Sequence, residues 1–157
     1  MFLHEVFPAK CIKIDLEAED KEEVFEEMVD HFCQATRSKA REDILDALRE
    51  REAKMSTGIH KGIAVPHGKT NVVDDVFGVL GISRKGIDYD ALDGEPVYIL
   101  FMLVVPSKDS EKHLRLLKQL AELLENPQFY MDLLSQKDSQ GAYNVICKYE
   151  DMFITKE

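Results

Sequence analysis

No stretch of this chain stays apolar for long. The longest such run, Val97 to Val105, spans nine residues, against the ~20 that a membrane-crossing helix needs, so no direct membrane insertion is expected. Phe2, Leu3, His4 and Glu5 at the start do not form a basic region followed by a long apolar one, and no signal peptide is expected. Cysteine is scarce. Cys11, Cys33 and Cys147 are odd in number, far apart and without metal-ligand spacing, which points to reduced thiols in a cytoplasmic protein. Positive charge is the minority sign: 20 Lys and Arg face 30 Asp and Glu, a net charge of −10. That balance argues against nucleic acid or an anionic membrane surface as partner. Internal repeats, low-complexity tracts and Pro/Gly/Ser-rich linkers are also missing, so one domain over residues 1–157 is expected. A chain of this size buries roughly 68–70% of its accessible surface on folding, enough for a full core.

What is present alternates between strand and helix signals. Lys10 to Leu16 reads as a half-buried strand, with Ile12, Ile14 and Leu16 on one side. Asp20 and Glu23 have the spacing of a capping box. Behind them Val24, Phe25, Met28, Val29 and Phe32 recur at helical intervals; His31 lies at the edge of that stripe and reads as a boundary residue. Ser38 is expected to cap a second helix, Lys39 to about Lys54, with Ile44, Leu45 and Leu48 inward. Val76 to Ile82 reads as a strand, and the segments around Gly86–Tyr89 and Asp93–Pro96 as turns. Val97 to Val105 is too continuously apolar to be half exposed and should be a central strand. A leucine-rich helix from Glu111 to about Glu125 follows the connector Ser107–Ser110. Two shorter helices, Gln128 to Ser135 and Ser139 to about Tyr149, complete the chain. Strands interleaved with helices predict an α/β fold, a three-layer α/β/α sandwich with a mixed central sheet flanked by helices.

The most informative stretch is Gly62-Ile63-Ala64-Val65-Pro66-His67-Gly68. Pro66 lacks a backbone donor, so the strand should end there, with Lys69 to Asn71 as a polar connector. Gly68 permits a sharp turn or a close approach. His67 then stands at a strand end, where open α/β sheets keep ligand sites. Pro106 ends the apolar strand in the same way, and His113 follows in the first turn of the next helix. If the two strands are neighbours, the two imidazoles meet at one sheet edge. Arg49 and Arg51 close the second helix two positions apart, so only one can readily turn to that site.

Three chemistries fit these residues. His67 could be a nucleophile that carries a phosphoryl group, with Arg51 as a planar charged fork and His113 as a further donor. His60, His67 and His113 could bind a metal, although no HxH or HExxH spacing is present. Or the histidines could be structural, one in the core and one at a cap.

Ser56-Thr57-Gly58-Ile59 followed by Gly62 to Gly68 resembles the phosphorylation motif of the fructose/mannitol-class EIIA domain of the bacterial phosphotransferase system. Asp93-Gly94-Glu95-Pro96-Val97, the apolar strand, Pro106 and His113-Leu114 are similar to the family's second block, so the resemblance covers roughly Phe2 to Ile146. It implies that His67 is the phosphorylated histidine, that His113 contacts the phosphoryl group and that Arg51 is the active-site arginine. His60 departs from the family pattern, where glycine is common, and reads as a solvated loop residue. The resemblance further implies a phosphotransferase component without cofactor or metal. It would accept phosphate from an HPr-type phosphocarrier and pass it to a cysteine of an EIIB protein acting in trans. It leaves open a sugar-uptake carrier, a nitrogen-regulatory type that binds regulatory target proteins according to its phosphorylation state, and a degenerate structural homologue. Phe2, Phe7, Ile59 and Tyr89 are candidates for an apolar docking patch around His67.

Overall fold

The computed structural model describes residues 2–108 and 110–154. Asp109, in the expected Ser107–Ser110 connector, and the side chain of Ser110 lie outside the described residues, as do residues 1 and 155–157.

A short helix α1, Leu3–Val6, opens the chain; four residues are too few to show a helical period. A 3-10 turn, Ala9–Cys11, then leads into β1, Ile12–Ile14. The expected strand from Lys10 to Leu16 is thus cut to three residues. The 3-10 turn consumes its start, and Asp15, at φ 61°, turns the chain out of the extended region. Helix α2 covers Lys21–Thr36 and buries Val24, Phe25, Met28, Val29 and Phe32. Its start is capped as the spacing predicts, the Asp20 side chain accepting from Glu23 N at 2.9 Å. Glu23, however, accepts from Glu19 N at 2.9 Å, so the box closes one residue earlier than expected.

Helix α3 runs Arg41–Glu52, two residues later in starting than expected. Ser38 does not cap it: its Oγ accepts from Ala40 N at 3.2 Å, a local turn that uses up the hydroxyl ahead of the helix. Strands β2 (Gly58–His60) and β3 (Ile63–Ala64) form an antiparallel hairpin. Its turn places Lys61 at φ 48° and Gly62 at φ 86°, the two positive values a tight hairpin requires.

Pro66 interrupts pairing without ending it. Strand β4, His67–Thr70, resumes parallel to the same neighbour, so His67 begins a strand, and Lys69 and Thr70 belong to that strand instead of a connector. Proline forfeits only its donor; its carbonyl still accepts from Leu103 N at 2.9 Å. Strand β5 extends over Phe77–Ile87, absorbing Gly86 and Ile87 from the expected turn through a pairing irregularity after Ile82. Strand β6, Val97–Pro106, is buried along nearly its whole length.

Among the described residues the six strands are ordered β1-β5-β6-β3-β2, with β4 also on β6. Pairing is parallel for β1/β5, β3/β6 and β4/β6 and antiparallel for β5/β6 and β2/β3, so the sheet is mixed. Helices α4 (Ser110–Leu124), α5 (Pro127–Leu134) and α6 (Ser139–Phe153) follow. Asn126 and Asp138 cap the last two from their side chains. From Ile99 onward β6 alternates. Ile99, Phe101, Leu103 and Val105 pack with α1 and α4 to α6, while Leu100, Met102 and Val104 pack with α2 and α3. Helices therefore cover both faces, and the α/β sandwich expected from the sequence is the observed architecture. At ~1.5–3 kcal/mol for each fully buried aliphatic or phenyl side chain, β6 alone supplies a large share of the burial that holds the layers together.

Candidate functional site

His67 is held at both ends. Its peptide begins β4, in register with Leu103 of β6. Its Nδ1 lies 2.9 Å from the Val65 carbonyl oxygen. A carbonyl only accepts, so Nδ1 carries the hydrogen and the lone pair of the neutral ring is left on Nε2. The adjoining Gly68 is required by close approach, not by a turn. A Cβ there would stand 2.7 Å from the Ala47 carbonyl carbon and 2.9 Å from its Cβ. Helix α3 thus presses against β4. Arg51, one turn beyond Ala47 on the same side of the helix, is brought to the imidazole.

His113, the fourth residue of α4, follows Pro106 closely enough to double back over β4. The His67 and His113 ring centroids are 5.7 Å apart, with an interplanar angle of 55°. His113 is 5% exposed, and its Nε2 is buried without a hydrogen-bond partner among the described residues. An unmet buried polar atom costs about 1–3 kcal/mol, so this one marks a place where an acceptor or donor on a ligand would be welcome. Arg51 donates through Nη1 to the Met55 carbonyl at 2.9 Å, which pins the guanidinium at the mouth of the site. Arg49 turns the other way: its Nε donates to Glu22 at 2.9 Å, and Asp46 lies 3.6 Å from it. His67, His113, Arg51 and Lys69 line one cleft of about 520 Å³. His67 and Arg51 also border a second, more apolar cleft of about 430 Å³.

The surroundings disfavour the charged form of both rings. Burial, the main cause, pushes the His67 pKa below its ordinary value. The Val65 carbonyl opposes this, Arg51 lowers the pKa further, and Glu52 raises it. Burial likewise lowers His113, with His67 and Lys69 adding to the effect. Two neutral imidazoles beside a guanidinium form a site able to receive an anion at an uncharged nucleophile.

The other expectations divide. His60 is exposed on β2 and reaches the apolar cleft but not the pair of rings. Among the described residues no group of three His, Cys, Asp or Glu is placed to hold a metal ion. Ile59 is 50% exposed at the apolar cleft. Phe2 is exposed as well, but it stacks on His4 against α6. Phe7 and Tyr89 are not surface residues at all. Phe7 packs edge-on to Phe101 at 5.3 Å, and Tyr89 is buried against Phe25. Their rings are worth more in the core than in water.

The reading of the sequence missed one cluster outright: Glu52, Thr57 and Tyr89, all buried and mutually bonded behind the site. Glu52, in the last turn of an acidic helix, carries no mark that separates it from its exposed neighbours.

The family model described as "Phosphoenolpyruvate-dependent sugar phosphotransferase system, EIIA 2" matches residues 5–149. The chain is 32% identical over 150 residues to the fructose-specific EIIABC component of Bacillus subtilis, covering 96% of this chain but 24% of that protein. It is 34% identical over 143 residues to the fructose-specific EIIA component of Haloferax volcanii, covering 91% of this chain and 93% of that protein. Among solved structures, nitrogen regulatory protein IIA-Ntr from Neisseria meningitidis superposes with a TM-score of 0.84 at 28% identity, over 92% of this chain and 98% of that one.

Proposed function

The chain belongs to the EIIA 2 family of the phosphoenolpyruvate-dependent sugar phosphotransferase system, and on that premise we propose that it carries a phosphoryl group on Nε2 of His67. The donor is an HPr-type phosphocarrier and the acceptor an EIIB protein or domain. The observation that carries this reading is the bond from His67 Nδ1 to the Val65 carbonyl at 2.9 Å. It leaves the Nε2 lone pair as the free nucleophile beside a buried His113 Nε2 that has no partner among the described residues.

In the forward step the Nε2 lone pair attacks phosphorus. The N–P bond to the carrier's histidine breaks, and its electron pair returns to that ring. Arg51 and His113 meet the equatorial oxygens. Charge-assisted bonds of roughly 1.5–3 kcal/mol each hold the group without trapping it. In the second step a cysteine thiolate of EIIB forms the S–P bond, and the N–P electron pair returns to His67. No proton needs to leave Nδ1 in either step. The exposed apolar side chains Ile59, Met55, Leu92 and Leu114 around the clefts suit a partner that docks briefly and leaves. HPr works in the cytoplasm, and this reading puts the chain there; among the described residues no helix is long and apolar enough to cross a membrane.

A second reading is supported by the likeness to IIA-Ntr: a module that binds regulatory targets according to the phosphorylation state of His67. Incubation with HPr, the first enzyme of the system and labelled phosphoenolpyruvate tests the shared step, which requires acid-labile label on the wild type and none on His67→Ala. A chase onto EIIB supports the carrier role. Capture of a target by only one phosphorylation state supports the regulatory one.

A further inference from the structure

Glu52 is the last residue of α3, next to Arg51, and its side chain is 6% exposed. Its oxygens take Thr57 N at 2.8 Å, Thr57 Oγ1 at 2.6 Å, the Tyr89 hydroxyl at 3.2 Å and Lys21 Nζ at 3.1 Å. The Tyr89 oxygen also lies 2.7 Å from Thr57 Oγ1. Burying so polar a group is a poor route to stability compared with apolar packing, so where its bonds lead is the informative question. Thr57, held at both its N–H and its hydroxyl, offers its carbonyl to Val65 N at 3.0 Å. Val65 offers its own carbonyl to His67 Nδ1 at 2.9 Å. Two peptide carbonyls separate the carboxylate from the imidazole. Val65 falls in the gap between β3 and β4, outside the register of either strand with β6. Its N–H is held by Thr57, while its neighbours Ala64 and Pro66 bond to β6 on either side.

We propose that Glu52, acting through Thr57 and Val65, is a positioning residue that fixes the Nδ1–H tautomer and the ring orientation of His67, so that Nε2 is the nitrogen presented to the cleft. The consequence for transfer rests on the phosphoryl reading above, whereas the relay is a property of the unphosphorylated chain. A neutral imidazole takes the tautomer its hydrogen-bond partner dictates. Moving the Val65 carbonyl releases that constraint and lets the hydrogen migrate to Nε2, which blocks the nucleophile.

The test uses the full chain with 15N-labelled histidine, as wild type, Glu52→Gln, Thr57→Val and Thr57→Ser. Long-range 1H–15N spectra read the His67 tautomer, and label uptake from phosphorylated HPr reads the rate. Wild type and Thr57→Ser should hold the Nδ1–H form. Glu52→Gln and Thr57→Val should show a mixture with the Nε2–H form. Their uptake should fall on the order of tenfold to a hundredfold, as for a misplaced reacting group, with its dependence on HPr concentration unchanged. Folded variants that keep the wild-type tautomer and uptake overturn the proposal. If Glu52→Gln does not fold, the two Thr57 variants carry the decision. A wild type that takes no label sinks the phosphoryl reading alone, and the tautomer comparison still decides the relay.

Discussion

Glu52 and Glu150 are both carboxylates buried among the described residues, yet they sit in opposite kinds of surroundings. Glu150, on α6, accepts from Leu3 N, from His4 N at 3.1 Å and from His4 Nδ1 at 2.7 Å. Those amides open α1 and have no partner within their own helix, so the carboxylate completes a helix start and ties one end of the chain to the other. Among the described residues its bonds lead no further. Those of Glu52 run on through Thr57 and Val65 to His67. Burial and residue type are matched. What differs is whether the partners are a helix start or the backbone beneath His67, and that difference separates a tether from the support proposed above.

The comparison is broken most severely by deleting the imidazole. His67→Ala should abolish uptake of acid-labile phosphate from HPr while leaving the urea midpoint near that of wild type. Surviving label would remove any reason to treat the Glu52 end as functional. Next come Arg51→Ala and His113→Ala. Each should slow single-turnover transfer by roughly 10²–10³-fold, the usual cost of one lost donor to developing charge, and Arg51→Lys should restore only part, because an ammonium lacks the planar fork. Wild-type rates in either alanine variant would detach that residue from the site.

At the other end, Glu150→Ala should cost about 1.5–3 kcal/mol of folding free energy, the scale of hydrogen bonds to a charged group, read from urea unfolding. Transfer per folded molecule should be unchanged. Lost transfer at wild-type stability would reverse the two roles.

The smallest effect concerns acid. The folded-state pKa values of His67, His113 and His31 are all lowered, mainly by burial. Below about pH 6.5, the ordinary value, the unfolded chain therefore binds protons that the folded chain does not. Stability is then lost as pH falls through 6.5 towards the lowered values. On the phosphoryl reading, uptake should decline less on mild acidification than protonation at the ordinary histidine value would dictate. His113→Gln should shallow the fall in urea midpoint between pH 7 and 5.5, leaving the His67 and His31 shares. An unchanged slope would contradict the burial of His113.

The longer helices could be placed in advance, except for the exact start of α3, because a period of 3.6 and often a side-chain cap are written into neighbouring residues. Asp20, Asn126-Pro127 and the leucines of α4 each act within a few positions. The strands were harder to bound. Lys10–Leu16 shrank to Ile12–Ile14, and β4 appeared where a connector was expected, because pairing depends on a partner strand remote in sequence. Phe7 and Tyr89 read as well for a surface as for a core. What buries them is Gly78, whose absent side chain admits the Phe7 ring, and the packing of α2 on the sheet.

Local order along the chain thus determined the layer class, the central place of β6 and the residue types available for chemistry, since each follows from periodicity and composition over short spans. Folding decided the rest. Registering His67 against Leu103 while α4 folds back sets two rings 5.7 Å apart. One backbone carbonyl chooses which nitrogen is free, and an unremarked glutamate becomes part of the support beneath it. Distances and tautomers are relations between segments that meet only once the sheet has formed, and no single segment carries them.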